Sequence, residues 1–251
     1  MPAKEGKRNA VLAAAAGFLL VLFILLAALQ GVAGNKAFFE KQFALADENG
    51  QDAYQRTRME QDEFWRVTDA LLDYLFGRSG TLQTQAVIGG ASADVYSERE
   101  ILHMADVQKL MKGATAAKWL ALGLGLFLLL YVFFFTKGRL RVAVLCRGYL
   151  RGIAAFFVLA LGIGTFALAD FEGFFTLFHR IFFSNDLWIL SADDFLIRLV
   201  PQMFFENFVA RMGLIFGLTV LISGLLVWLF HIFWKKRGGD MFTFWRKTGG
   251  R

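Results

Sequence analysis

The sequence predicts an all-α membrane protein with four transmembrane helices, and three observations lead to this fold class. The chain has 251 residues, of which 57% are hydrophobic, and its mean hydropathy of +0.49 is too high for an ordinary soluble domain. Four stretches are long enough to cross a bilayer, since a spanning helix needs about 20 apolar residues. Lysine and arginine also gather in alternate connections between these stretches.

The four predicted spans differ in length and composition. In chain order they are residues 10–34, 116–136, 152–169 and 208–234. The third is the shortest and is interrupted by Gly162 and Gly164. The first is longer than the ~7–15-residue apolar core of a signal peptide. We therefore expect the first span to stay in the protein as an anchor, although its Ala27–Gly31 end resembles a cleavage site.

The charge distribution predicts the topology of the chain. Of the five segments outside the predicted spans, three are basic and two are acidic. The basic ones are the lead 1–9, the loop 137–151 and the tail 235–251, and the acidic ones are residues 35–115 and 170–207. Because basic residues accumulate on the cytoplasmic side, we expect both termini in the cytoplasm, an extracytoplasmic cap at 35–115 and an extracytoplasmic interfacial segment at 170–207. The pI of 9.5 then reflects topology and not a nucleic-acid partner.

The cap contains two predicted helices. Apolar residues recur at helical spacing between residues 58 and 76, and the glycine-containing stretch 77–93 is expected to be a loop or a short hairpin. Ser97 followed by Glu100 is a capping-box pattern, which predicts the start of a second helix. His103 and Asp106 lie one turn apart on that helix, where a carboxylate can orient an imidazole.

The segment after the third span predicts a helix lying in the membrane interface. Its phenylalanines fall on one helical face, and His179 borders that face. These residues are Phe171, Phe174, Phe175, Phe178 and Phe182. Asn185 and Asp186 then predict a turn, with Trp188 as an interfacial anchor. A second short helix is expected over Asp193–Val200, ended by Pro201.

The inventory of reactive side chains narrows the chemistry. Cys146 is the only cysteine, so neither an internal disulfide nor a cysteine metal cluster can form. The G-x-S-x-G and H-E-x-x-H motifs are absent. Of three histidines, His231 is predicted on the inner side and structural, whereas His103 and His179 are predicted on the outer side. Two imidazoles can take and return a proton and donate to an oxyanion, which suits acyl transfer without a covalent enzyme intermediate, a metal or a cofactor.

Two other function classes stay open from the residues alone. An interfacial metal-dependent hydrolase would use His103, His179 and nearby carboxylates, although their spacing is not a metal-binding motif. A non-enzymatic module for membrane transport or assembly is the second alternative. Against it, the predicted spans carry no deep charge of the kind that marks a transport path.

Two sequence blocks resemble a known family. They are Y-S-E-R-E-I-L-H-M-A-D-V at 96–107 and F-H-R-I-F-F-S-N-D-L-W-I-L at 178–190, followed by Asp194 and P-Q-M-F-F at 201–205. These blocks and the arrangement of spans resemble the bacterial lipoprotein intramolecular transacylases. Residues 35–95 and the basic tail carry no quotable resemblance.

The resemblance implies a reaction and a site. The family moves the sn-2 acyl chain of a diacylglyceryl lipoprotein to the α-amine of its N-terminal cysteine, giving an N-acyl lyso-lipoprotein. By this resemblance His179 is the base, and His103 stabilises the oxyanion and is oriented by Asp106. Arg99, Asn185, Asp186 and Trp188 match motif positions and are expected to position the site.

The resemblance and the residues together imply a location and a lipid surface. The protein is expected in the bacterial cell membrane as a multi-pass protein, with its active site on the extracytoplasmic face and its two catalytic histidines meeting at the membrane–water boundary. The expected partners are the diacylglyceryl lipoprotein and membrane lipid, without nucleic acid. The expected lipid-binding residues are Phe174, Phe175, Phe178 and Phe182.

Overall fold

A computed structural model describes residues 3–47, 49–82, 84–138, 140–200 and 202–248. Pro201, the expected end of a short helix, lies outside the described residues. The elements are α1 Ala3–Ala33, α2 Lys36–Phe43, α3 Ala53–Thr57, α4 Gln61–Leu75, β1 Gln85–Ile88, β2 Ala91–Asp94, α5 Glu98–Phe135, α6 Leu140–Ala169, α7 Phe171–Phe182, α8 Phe195–Leu199 and α9 Gln202–Thr248.

Four of these helices are long and apolar enough to cross a membrane. The candidate spans are Glu5–Ala33, Glu98–Phe135, Leu140–Ala167 and Met203–Lys236. The prediction of a helical membrane protein with four spans is therefore confirmed. One departure from an all-α fold is the β1–β2 hairpin, in which Gly89 and Gly90 have φ of +60° and +87°. Such values are those of a two-residue type I′ turn, where glycine is favoured because it lacks a Cβ.

The helices extend beyond the predicted spans. The helix expected from Ser97 and the second span are one helix, α5, of 38 residues. The expected basic loop 137–151 is mostly helical, since α6 begins at Leu140. Gly148 interrupts the apolar pattern of this region, but it lies inside α6 at a helix contact and does not end the helix. The expected lead and tail also join helices, because α1 begins at Ala3 and α9 continues to Thr248.

The contacts divide the chain into two units. The first comprises Met1–Ala27, Ala117–Thr165 and Leu214–Arg251. Within it α6 packs against α1 through glycines. A Cβ on Gly148 would lie 2.3 Å from Ala13 Cβ, and a Cβ on Gly152 would lie 2.3 Å from Phe18 N. Small residues four apart allow this close approach of two helix backbones in membranes.

The second unit comprises Ala28–Ala116 and Phe166–Gly213 and has its own hydrophobic core. Phe43 is central to this core, with ring centroids 5.1 Å from Phe64 and 5.7 Å from Phe204. The buried face of α4 includes Phe64, Val67, Thr68, Leu71 and Tyr74, at the helical spacing the sequence predicts. This core fixes the cap around which the candidate site is built.

The hairpin is attached to α4 by one carboxylate and one guanidinium. Glu63 accepts hydrogen bonds from Arg66 and from the backbone N–H of Val87, and Arg66 also donates to the carbonyl oxygen of Gln85. The hydrogen bond from Arg66, aided by that from Val87, lowers the pKa of the Glu63 carboxyl to about 2. The chain that leads into α5 is thereby tied to the cap.

Candidate active site

The first turn of α5 positions the first group of candidate residues. The backbone N–H of Ser97 donates to Glu100 Oε2 at 2.8 Å, and that of Glu100 donates to Ser97 Oγ at 3.3 Å. The predicted capping box is therefore confirmed. It sets the start of the helix whose next two turns carry His103 and Asp106.

Helix α7 positions the second group. Asp170 caps it, accepting from the backbone N–H of Gly173 at 2.8 Å. Phe175, Phe178 and Phe182 are each more than a third exposed, whereas His179 is only 9% exposed. The helix thus has an apolar outer surface and keeps its histidine covered.

The fold brings His103 and His179 together. Their ring centroids are 6.4 Å apart and their planes differ by 34°. Phe183 lies beside both, with centroid distances of 5.5 Å to each imidazole. Two imidazoles at this separation can address one small reacting group between them.

His179 has a defined tautomer and an apolar surrounding. Its Nδ1 lies 2.7 Å from the carbonyl oxygen of Phe175, and a carbonyl can only accept, so Nδ1 carries the proton and Nε2 keeps the lone pair. The indole of Trp188 stacks on the imidazole at 4.7 Å and 29°. Burial lowers the pKa of His179 below its usual 6.5, against a smaller upward effect of the Phe175 hydrogen bond. The imidazole is therefore mostly neutral at pH 7.

Residues 185–190, named here the strap, carry Trp188 over His179. Arg99 on α5 donates from Nε to the Ile189 carbonyl oxygen at 3.0 Å and from Nη2 to that of Asp186. Asn185 Nδ2 donates to Asp106 Oδ2 at 2.8 Å. The supporting residues of the sequence prediction thus converge, with Asp186 contributing its backbone carbonyl.

Asp106 differs from its predicted role. It was expected to orient His103, but its hydrogen bonds are with Asn185 and with Lys109, the latter at 2.9 Å. The described residues give His103 no hydrogen bond. Asn185 of the strap lies within hydrogen-bonding distance of the Asp106 carboxylate, and its side-chain amide competes with His103 for that carboxylate. Asp106 therefore holds the strap through Asn185, a residue 79 positions away that only the tertiary fold brings close.

Two residues of the site were not among the predicted site residues. Phe183 is 7% exposed and packs on both imidazoles. Its spacing of four from His179 was the available signal, since residues four apart are neighbours on a helix. Glu100 is 1% exposed and accepts from the backbone N–H of Leu196. Local sequence explains only the capping role of Glu100.

The described part of the chain also bears on the alternative of a metal-dependent hydrolase. It contains no group of three or more His, Cys, Asp or Glu side chains arranged to hold a metal ion. The structure therefore adds no observation in favour of the metal-dependent hydrolase.

Comparison with known proteins identifies the family. The family model described as lipoprotein intramolecular transacylase Lit matches residues 14–205. An uncharacterized protein of Aquifex aeolicus is 26% identical over 205 residues, covering 78% of this chain and 87% of that protein.

Solved structures are similar across nearly the whole chain. The membrane-integral transacylase Lit of Bacillus cereus matches with a TM-score of 0.67 at 20% identity, covering 94% of this chain and 99% of the other. A histidine-to-alanine variant of the same Bacillus protein gives a TM-score of 0.68. The likeness in structure supports a shared fold.

These findings define the class and then the family. The chain is an integral membrane acyltransferase with four spanning helices. It belongs to the lipoprotein intramolecular transacylase family, Lit. Its substrates are accordingly lipoproteins in a membrane.

Proposed function

We propose that this enzyme moves the sn-2 acyl chain of a diacylglyceryl lipoprotein to the α-amine of the same molecule's N-terminal cysteine, using His103 and His179. The observation that carries the proposal is the juxtaposed pair of imidazoles, one of which has a fixed tautomer. A neutral Nε2 beside a second imidazole provides a base and a hydrogen-bond donor around one reacting carbonyl.

The first half of the reaction forms a bond. The neutral amine attacks the sn-2 ester carbonyl, a C–N bond forms, and the carbonyl oxygen becomes an oxyanion. His179 Nε2 takes the proton that the amine nitrogen loses. An N–H of His103 donates to the oxyanion, which lowers the barrier because the donor is already positioned.

The second half breaks a bond and returns the proton. The tetrahedral intermediate collapses, the C–O bond to the glyceryl group breaks, and the protonated His179 gives its proton to the departing oxygen. The products are an amide and a free sn-2 hydroxyl, and His179 is neutral again. Because donor and acceptor are on one molecule, proximity replaces an acyl-enzyme.

The exposed face of α7 is proposed to hold the acyl chains. Phe178 and Phe182 lie with their ring centroids 4.8 Å apart, and Phe175 contacts both His179 and Trp188. Phe174 packs against Phe166 at 6.1 Å. This surface extends from exposed aromatic rings to the imidazole of His179. Acyl chains bound on it would therefore place their ester next to the imidazole.

The alternation of charge supports an extracytoplasmic site with both termini in the cytoplasm of a bacterial cell. The proposed spans are residues 10–34, 116–136, 152–169 and 208–234, and they fall on α1, α5, α6 and α9. Segments 1–9, 137–151 and 235–251 are proposed on the cytoplasmic side, and 35–115 and 170–207 on the other side. Nothing in the charge distribution calls for a nucleic-acid partner.

Mass spectrometry of a lipoprotein N-terminus tests the proposal. Cells containing this protein should yield an N-acylated cysteine with one O-linked chain, and otherwise identical cells without it should yield the free amine with two O-linked chains. Unchanged N-termini in the presence of the expressed protein would refute the proposed function.

A further inference from the structure

We propose that Glu100 is a positioning residue for the reaction, which sets the place of the strap over His179. The inference rests on the proposed function, because it concerns the environment of the proposed base. Glu100 itself is buried and is assigned no contact with the reacting atoms.

Glu100 is almost completely enclosed and uses both carboxylate oxygens. It is 1% exposed. Oε2 accepts from the backbone N–H of Ser97 at 2.8 Å, and Oε1 accepts from that of Leu196 at 2.7 Å. The first bond is local to α5, but the second joins residues 96 positions apart. A capping box needs only the first bond, so the second has a different role.

The second bond anchors the far end of the segment that carries the strap. Leu196 lies in the first turn of α8, and the strap is joined to α8 by a turn in which Asp194 accepts from the backbone N–H and the hydroxyl of Ser191. Arg99 and Asp106 hold the near end. Three side chains of α5 therefore hold residues 185–196 from both ends.

The three attachments differ in exposure. The bonds made by Arg99 and Asp106 are exposed to water, which competes for both partners. The bond between Glu100 and Leu196 is buried, so its loss would leave an ionisable group or an N–H without water or partner. The buried attachment is consequently the hardest to replace, and it fixes the register between α5 and the strap.

The surroundings explain why a carboxylate occupies this position. Tyr96 and Phe195 are the neighbours in sequence of the two donors to Glu100, and their rings pack edge to face at 5.3 Å. The described residues give Glu100 two N–H donors and no cation. A glutamine would present its own N–H2 toward one of these donors, so it could satisfy only one of them.

Glu100 precedes His103 by one turn, so its attachment acts close to the imidazole pair. Moving the strap relative to α5 moves Trp188, whose indole stacks on His179 at 4.7 Å and helps to cover it. Both the geometry of attack and the burial of the base should respond to the loss of the attachment.

The test compares Glu100→Gln with Glu98→Gln in the full-length enzyme and a synthetic diacylglyceryl lipopeptide. Glu98 is on the same first turn and is exposed, so its change removes a charge without removing the attachment. Glu100→Gln should lower kcat by roughly 10- to 100-fold, since small displacements of reacting groups have effects of this order. The ionisation of His179 in the acid limb of its kcat profile should also move up toward pH 6.5, because a less buried His179 regains its ordinary pKa. Glu98→Gln should change neither.

Several outcomes overturn the inference while leaving the proposed function intact. One is that the wild-type enzyme converts the lipopeptide while Glu100→Gln has the same kcat and the same acid limb as Glu98→Gln. Another is a lower yield of folded Glu100→Gln enzyme whose folded fraction has an unchanged acid limb, which would mean that the residue serves stability alone. If Glu100→Gln gives no folded protein, Glu100→Asp is measured instead, since it keeps the charge and shortens the reach. A folded Glu100→Asp with wild-type kcat and acid limb would equally refute the role.

Discussion

His179 donates its Nδ1–H to the carbonyl oxygen of Phe175, one turn earlier on α7, over 2.7 Å. A carbonyl oxygen has two lone pairs, so it can accept from the imidazole as well as from the helix backbone, and this bond holds the imidazole in one tautomer. The lone pair on Nε2 is then available for proton transfer. The role of base follows more directly for His179 than for His103, because the described residues give His103 no hydrogen bond that would select a tautomer.

The pH dependence of kcat should report on His179. The base acts in its neutral form, which predominates above its pKa, and burial lowers that pKa from 6.5. The acid limb of kcat should therefore contain an ionisation of His179 below pH 6.5, in addition to that of the substrate α-amine, whose ordinary pKa is about 7.7–8.0. Rates of lipopeptide conversion between pH 4.5 and 8 check this, and an acid limb without an ionisation below pH 6.5 would contradict the burial argument.

Removing the indole above the base should shift this limb. Trp188→Ala exposes His179, so its pKa returns toward 6.5 and the acid limb moves to higher pH. Trp119→Ala is the matched control, since Trp119 is 58% exposed and belongs to the other unit of the chain. An equal shift in both variants would show that the indole is not the cause.

Asp106 and Asn185 should act as a pair. Each alanine variant loses the same exposed hydrogen bond to the strap, so each should lower kcat by roughly 3- to 10-fold. The double variant should be no worse than the worse single variant, because both changes break one interaction. A near-complete loss in Asp106→Ala alone, with Asn185→Ala unaffected, would instead support direct orientation of His103 by Asp106.

The glycines of α6 should matter for stability. Gly152→Ala places a Cβ against backbone atoms of α1, and such overpacking costs about 1–3 kcal/mol. Gly162→Ala on the same helix meets nothing within 4 Å, so it should be neutral. Thermal unfolding in detergent measures the difference, and equal Tm values for the two variants would argue against the close helix contact.

No acyl-enzyme should accumulate during turnover. The acyl group passes between two atoms of one substrate, so a protein nucleophile is unnecessary. Rapid quenching with a substrate labelled in its sn-2 chain, followed by mass spectrometry of the intact enzyme, checks this. A labelled adduct on Cys146, a serine or a threonine would require a different mechanism.

Sequence reasoning predicted the features that depend on local pattern. The spans follow from length and apolarity, and the start of α5 from Ser97 and Glu100. The hairpin was one of two possibilities that the glycine-containing stretch 77–93 offered. His103 and His179 were singled out as the two histidines predicted on the outer side, and the two motif blocks then supported the choice. Their 6.4 Å separation depends on how the cap folds, which local pattern does not specify.

The features that were missed depend on contacts between distant segments. The basic residues of 137–151 suggested a loop, but Gly148 in this stretch lies within α6 and approaches Ala13 of another helix. Asp106 suggested a partner one turn away, but Asn185 competes for it from 79 positions along the chain. Glu100 suggested a cap alone, because Leu196 is not a neighbour in sequence. In each case the local interpretation was reasonable and the tertiary partner decided the role.

The most direct test of the two-histidine mechanism uses a lipopeptide whose sn-2 chain differs in mass from its sn-1 chain. Wild-type enzyme and His231→Ala should place the sn-2 chain on the α-amine, whereas His103→Ala and His179→Ala should lose roughly 100- to 10,000-fold in rate. All four proteins should be recovered folded and in similar yield. Full conversion by either His103→Ala or His179→Ala, or transfer of the sn-1 chain by the wild type, would contradict the mechanism.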